Sequence, residues 1–187
     1  MKKIFAILTA LAMVFTMAAA VAEGTAAEET VVESANPVFY GNIQFNMDME
    51  QVMENVNKPN YEIDQEKTRG TVEFYELEYE HVTAEDGFSA DITYLFVGNS
   101  LVAIHFDMAD GISYDTVKGQ LTSTYGKTVP FDATKIGNGK YAIDDDGDLK
   151  DCKEMIEAEG VTIILEEDHD GDVDVTFLDP TAAYINN

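Results

Sequence analysis

The chain has 187 residues, of which 36 are acidic and 11 basic, so its formal net charge is −25; it has one cysteine and no tryptophan. Such a charge repels nucleic acid and anionic lipid, which excludes both as electrostatically recruited partners. Because Cys152 is the only cysteine, an internal disulfide is also excluded, and the core must hold without covalent cross-links.

The N-terminus has the three parts of a secretory signal peptide. Lys2 and Lys3 precede an apolar run that extends to residue 20, and Ala20-Val21-Ala22 is a small-x-small cleavage pattern. A membrane anchor is the alternative, but the run is short for a span and no basic flank follows it. We therefore expect cleavage after Ala22, a secreted or extracytoplasmic location and no stable membrane insertion afterwards. Because no cysteine lies near the cleavage site, a lipid anchor is not expected.

The mature chain divides into three predicted segments. Residues 23–36 are small, acidic and aperiodic, which is typical of a flexible spacer. Residues 37–180 are long enough for one domain with a sizeable core. Residues 181–187 are a short tail.

The first predicted element of this domain is a helix over residues 48–57. Apolar side chains recur at positions 49, 52, 53 and 56, which is helical spacing. Asp48 and Gln51 have the spacing of a capping box, and Pro59 ends the pattern.

Three strands are predicted next, in the segments 71–82, 88–97 and 101–108. Each alternates apolar with polar residues, and short links with turn residues join them, so we expect an antiparallel meander. If Gly98 to Ser100 form a three-residue loop, Tyr94 lies opposite Ile104 and Ile92 opposite Phe106. One sheet face then carries mostly acidic side chains: Glu76, Glu78, Glu80, Asp91, His105 and Asp107.

Two further helices and a hairpin complete the predicted domain. Ser113 is a suitable N-cap for a helix that ends at Gly126. Residues 127–147 are less regular and end in a short strand and turn. A third helix is predicted from Asp148, with Leu149, Cys152 and Ile156 facing inward, to Gly160. The segments 161–167 and 172–178 read as strands.

This order of elements favours the α+β class. Consecutive antiparallel strands with separated helices predict an antiparallel sheet, made of the meander and the C-terminal hairpin, with two or three helices packed on one face.

The stretch EEDHDGDVDV, residues 166–175, raises the question of a calcium site. Glu166, Asp168, Asp170 and Gly171 fit positions 1, 3, 5 and 6 of an EF-hand loop. Position 12, however, is Phe177, which cannot be a ligand, and the flanks are strands. A tight turn at Asp170-Gly171 is the simpler interpretation. Weak calcium binding stays open there and in DDDGD, residues 144–148. The candidate ligands are Asp168, Asp170, Asp172, Asp144 and Asp146.

Motifs for catalysis are absent from the sequence. The histidines, His81, His105 and His169, have no metal-ligand spacing, and there is no HExxH, GxSxG or CxxC motif. Cys152 is expected to be a buried thiol rather than a nucleophile. An undetected hydrolase is the least favoured function, because no carboxylate pair is singled out.

Two segments resemble a known group of small secreted bacterial proteins. IQFNMDMEQVMENV is similar to their strand-then-helix opening, and YDTVKGQLTSTYG, after FVGNSLVAIHF, resembles the helix that follows their meander. The group is the β-lactamase-inhibitor-protein-like proteins, with the SmpA/OmlA-like lipoprotein assembly domain as a relative. The resemblance covers about residues 40 to 126 and implies a protein-binding module without chemistry. The chain lacks the disulfides and tryptophans usual in the inhibitors and the lipobox of the lipoproteins, so no binding residue is carried over.

Taken together, the sequence predicts a secreted, non-enzymatic module that binds a protein or cationic peptide on the acidic sheet face. The alternative is an extracellular calcium-binding protein that uses the two acidic Asp-Gly loops. No cofactor is expected apart from weakly bound calcium.

Overall fold

The computed structural model describes residues 38–39, 42–56, 61–69, 72–83, 89–144 and 147–182. The predicted signal peptide, the spacer and residues 183–187 of the predicted tail lie outside the described residues. None of the helices within the described ranges has the length and apolar character needed to cross a bilayer.

The described residues form ten strands and three α-helices. In chain order they are β1 Val38–Phe39, β2 Ile43–Gln44, α1 Met49–Val56, β3 Glu62–Arg69, β4 Val72–Thr83, β5 Ser89–Val97, β6 Ser100–Met108, α2 Tyr114–Tyr125, β7 Val129–Pro130, α3 Lys140–Ile143, β8 Cys152–Ala158, β9 Val161–Glu167 and β10 Val173–Leu178. Eight strands make one sheet in the order β3-β4-β5-β6-β10-β9-β8-β7, and all its neighbours are antiparallel. The predicted α+β class with an antiparallel sheet is confirmed.

The predicted caps of α1 and α2 form. The backbone N–H of Gln51 donates to Asp48 Oδ1 at 2.8 Å, and the Gln51 side chain accepts from the Asp48 N–H at 3.0 Å. This reciprocal pair is the capping box expected for α1. The Ser113 side chain accepts from the N–H of Thr116, and α2 ends at Gly126 with φ 108°.

The predicted register of the meander is confirmed, although its turn differs. Tyr94 lies opposite Ile104, and Ile92 opposite Phe106. The turn has two residues, because Ser100 already pairs with Val97, and one extra residue in β6, Val102, opposite Leu95 and Phe96 restores the register.

The third predicted helix is wrong, because this segment is strand β8. Residues 159 and 160 form a two-residue turn between Ala158 and Val161, which pair with each other, and Gly160 has φ 74°. The glycine that reads as a helix stop is therefore a hairpin turn residue. Pairing with β9 outweighs the local helical spacing.

There are three smaller differences. Strands β3 and β7, which form the two edges of the sheet, were not expected, because β3 is mostly polar and β7 has only two residues. The expected short strand before the turn at residue 144 is wrong, since residues 140–143 form the short helix α3. Asp148 does not cap a helix, because the strand β8 follows it.

The main hydrophobic core lies against one sheet face, here called the inner face. Tyr94, Ile104 and Ile163 belong to it, and so do Val52 of α1 and Val117 of α2. The opposite face is here called the outer face. The alternation predicts that all of it is exposed to solvent, but part of it is buried. One end of it carries a second buried cluster, which consists of Phe74, Leu95, Val102, Ala103, Ile136, Ala142, Ile143, Met155, Ile164, Leu178 and Ala182.

Candidate functional site

The other end of the outer face carries a line of four carboxylates, here called the carboxylate row. Asp91 of β5 lies opposite Asp107 of β6, Asp107 opposite Asp174 of β10, and Asp174 opposite Glu166 of β9. Directly opposite side chains on one face of an antiparallel sheet are about 5 Å apart at Cβ. The row therefore crosses four strands with one acid on each.

Like charges and burial perturb the ionisation of the row. Burial raises the pKa of Glu166 to about 7, and the charge of Asp174 adds to the shift. Burial together with Asp168 and Asp172 raises the pKa of Asp174 to about 6. Burial and Asp174 also raise the pKa of Asp107. Carboxylates opposite one another resist simultaneous ionisation, so a nearby cation favours the charged form of the row.

Counter-charge from the protein is scarce along the row. The described lysines that form ion pairs do so with Glu154, Glu157, Asp148 and Glu167, none of which belongs to it. His105 is the basic group beside Asp174. Its Nδ1 is 2.9 Å from Thr176 Oγ1, and its Nε2 is 4.0 Å from Asp174 Oδ1.

A cavity of about 280 Å³ adjoins the Asp91 end of the row, and Asp107 and Asp110 also line it. His81 forms part of its wall from a bulge in β4, where two residues stand opposite Asp91. The backbone of His81 has φ 51°, and its N–H donates to Asp91 Oδ1. Its Nδ1 is 3.2 Å from the same oxygen. The bulge thus orients Asp91 at the mouth of the cavity.

The remaining predicted acids of the face lie on β4, beside the row. Glu78 is opposite Thr93, and burial followed by the charge of Glu80 raises its pKa. Glu76 is opposite Leu95 and is only 5% exposed. The apolar cluster next to Leu95 leaves Glu76 little access to a ligand. Glu80 is exposed and lies in the β4 bulge.

The stretch EEDHDGDVDV forms the hairpin between β9 and β10, as the turn interpretation predicts. Asp168 Oδ1 accepts from the N–H groups of Asp170, Gly171 and Asp172, at 2.8, 2.8 and 3.0 Å. Gly171 adopts φ 93°, whereas Asp170 has no positive φ. The ligand atoms of Asp168, His169 and Asp170 lie within 4.8 Å of one another on the protein surface. Asp172 is not in that group.

The second acidic stretch is also held by local hydrogen bonds. The N–H of Asp148 donates to Asp144 Oδ1 at 3.0 Å, and Asp148 forms an ion pair with Lys150. Asp146 lies outside the described residues. Asp144 is near enough to Glu166 for its charge to raise the pKa of that carboxyl. The two acidic loops thus lie near the same end of the row.

The arrangement offers no activated nucleophile among the described side chains named above. Burial and the charge of Glu166 raise the pKa of Cys152, whose Sγ is 3.5 Å from Glu166 Oε2, so the thiol stays protonated. Cys152 is half-buried on β8 rather than on a helix. The site's chemistry is that of an acidic acceptor surface.

Sequence reasoning missed the two most perturbed members of the row, Glu166 and Asp174. The sequence feature that could have identified them is the alternation in β9 and β10. It puts both side chains on the sheet face opposite Leu165 and Val175. What the sequence does not show is that β10 pairs with β6 and so brings Asp174 beside Asp107.

The chain matches no protein-family model, no curated protein and no solved structure. The resemblance to β-lactamase-inhibitor-protein-like proteins therefore stays a prediction, and function has to be argued from the geometry.

Proposed function

We propose that this protein is a secreted, non-enzymatic binding module that takes a positively charged protein or peptide segment on the carboxylate row. The observation that carries the proposal is the row itself: one acid on each of four adjacent strands, three of them with a raised pKa. Secretion rests on the signal-peptide pattern of residues 1–22.

The proposed binding surface requires the helices to leave the row open. Val52 of α1 and Val117 of α2 pack into the inner-face cluster. In the proposed arrangement these two helices cover one face only, while α3 covers the apolar end of the other. The acidic end is then the accessible part of the outer face. Its charge steers basic partners toward it and repels acidic ones.

The test is the affinity of the full chain for a fluorescein-labelled peptide of alternating arginine and glycine. The double variant Asp107→Asn/Asp174→Asn removes two charges from the row. The matched control, Glu50→Gln/Asp115→Asn, removes two charges from exposed positions of α1 and α2. Because hydrogen bonds to charged groups contribute about 1.5–3 kcal/mol each, the row variant should bind at least about ten-fold more weakly than the control. If both variants bind with equal affinity, the peptide responds to the net negative charge of the protein and not to the row. No binding by the wild type would refute the proposal.

A second candidate function is weak calcium binding at the turn, because three ligand atoms of Asp168, His169 and Asp170 converge there. A site with a dissociation constant of about 1 mM would gain roughly 1.4 kcal/mol at 10 mM calcium. The melting temperature should then rise by about 3–6 °C. Magnesium is the ion control and Asp170→Ala the site control. Equal shifts with both ions would exclude a specific calcium site.

A further inference from the structure

The buried end of the carboxylate row holds an acceptor without a donor. Glu166 is only 9% exposed. Its Oε2 accepts from Cys152 Sγ at 3.5 Å, but its Oε1 has no hydrogen-bond partner among the described residues. Burying a polar oxygen without a partner costs about 1–3 kcal/mol, and more when the group is charged. The described residues therefore leave the hydrogen-bonding capacity of this oxygen unused.

The groups that face Glu166 and Asp174 are almost all acidic. Asp174, Asp144 and Asp151 all raise the pKa of Glu166, and Cys152 faces it from β8. Asp174 in turn faces Asp107 and His105 on β6 and lies near two acids of the turn, Asp168 and Asp172. Among the described groups that face these two acids, His105 alone is a potential cation, and Thr176 already engages one of its nitrogens.

We propose that Glu166 and Asp174 together bind one guanidinium group, the side chain of an arginine in the basic segment of the partner. This inference rests on the proposed function and assigns the ligand of one end of the row.

The spacing of the two acids favours a guanidinium over a metal ion. Glu166 and Asp174 are direct cross-strand partners, so their Cβ atoms stand about 5 Å apart. A planar fork with five N–H donors can bridge two such carboxylates. A calcium ion instead needs six to eight oxygens around one point. Among the described residues, the three-ligand group that converges in this way is in the exposed turn.

Burial favours a guanidinium over an ammonium group. An ammonium ion is a compact, strongly hydrated charge, and stripping its water at a site as buried as Glu166 is costly. A guanidinium is more weakly hydrated and keeps its charge at any working pH. The site should therefore prefer arginine to lysine.

The guanidinium has to come from another molecule. The single arginine of the chain, Arg69, belongs to β3. In the sheet β3 is separated from β9 by five strand spacings, about 24 Å at 4.8 Å each. That distance is beyond the reach of one side chain, so this chain cannot fill its own site.

The experiment is a titration of the full chain with three tripeptides, acetyl-Gly-X-Gly-amide, in which X is arginine, citrulline or lysine. Citrulline has nearly the shape of arginine without its charge. NMR chemical shifts at pH 8 report binding. The arginine peptide should bind, the lysine peptide about ten-fold more weakly, and the citrulline peptide not measurably.

The variant Glu166→Gln should weaken binding of the arginine peptide by about 10- to 100-fold, because it removes one charged acceptor. The matched control is Glu167→Gln on the same strand, since that side chain pairs with Lys153 rather than with the row. The comparison of the three peptides on the wild-type chain decides the inference even if the variant fails to fold.

Each contrary result has a distinct meaning. Equal binding of arginine and citrulline peptides would overturn the inference. So would calcium binding that depends on Glu166 without any arginine binding. If the alternating arginine peptide binds through Asp107 while Glu166→Gln has no effect, the inference falls and the proposed function stands. If no basic peptide binds, both fall.

Discussion

Replacing Glu166 with glutamine should make the unliganded protein more stable at alkaline pH. The ordinary pKa of this side chain is 4.5, and in the fold burial raises it to about 7. The folded state therefore holds a proton that the unfolded state releases between these two values. Each pKa unit corresponds to about 1.4 kcal/mol, so wild-type stability falls by about 3 kcal/mol as pH rises through this window. Below pH 4.5 Glu166 no longer makes stability depend on pH, because its carboxyl is protonated in both the folded and the unfolded state.

The amide of Glu166→Gln keeps the shape of the side chain but cannot ionise. The quantity to measure is the difference in unfolding free energy between variant and wild type, from urea titrations at pH 4.5 and pH 8. That difference should move in favour of the variant by about 3 kcal/mol between the two pH values, or roughly 6–12 °C in melting temperature. The other acids titrate in both proteins, so their contributions to the unfolding free energy cancel in this difference. The variant Asp115→Asn on the exposed surface of α2 controls for net charge.

A pH-independent difference would refute the reasoning, because it would mean that Glu166 is solvated or already paired with a cation in the fold. A difference of the opposite sign would mean that the fold stabilises its charged form. The predicted result bears on the proposed function: the charge of Glu166 would destabilise the fold at neutral pH, and a cation bound there would offset that destabilisation.

Three further substitutions test the fold, each by urea unfolding. Asp48→Ala should cost about 1 kcal/mol because it removes the cap on the Gln51 N–H, while Asp48→Asn should retain most of the stability. Ile163→Ala should cost about 2–5 kcal/mol, since this side chain is fully buried; a loss below 1 kcal/mol would contradict its place in the core. Gly160→Ala should cost about 1–2 kcal/mol because the residue adopts φ 74°, and unchanged stability would argue against the β8–β9 turn.

Local features of the fold were predictable where neighbouring residues determine them. The capping box needs only Asp48 and Gln51, three positions apart. The facing of Tyr94 and Ile104 follows from alternation, since a slip of one residue would turn every apolar side chain to the wrong face. The turn over residues 168–172 follows from the hydrogen bonds that an aspartate makes to the N–H groups just after it.

The β8 segment shows where local reading fails. Leu149, Cys152 and Ile156 have helical spacing, and a glycine follows at position 160. Cys152 and Ile156 instead pair with β9 as part of a strand, and the hairpin gains a ladder of backbone hydrogen bonds together with burial of Met155 and Ile156 on opposite faces. Local periodicity does not report the presence of a partner strand.

The candidate site depends on such a distant pairing. The sequence by itself determined the acidity and the alternation that turns Asp107, Asp174 and Glu166 away from the inner core. Only the tertiary structure decided that the C-terminal hairpin inserts between β6 and β8 and aligns these acids in one row. The physical reason is that side-chain direction is a property of each strand, whereas strand order depends on contacts between residues more than sixty positions apart.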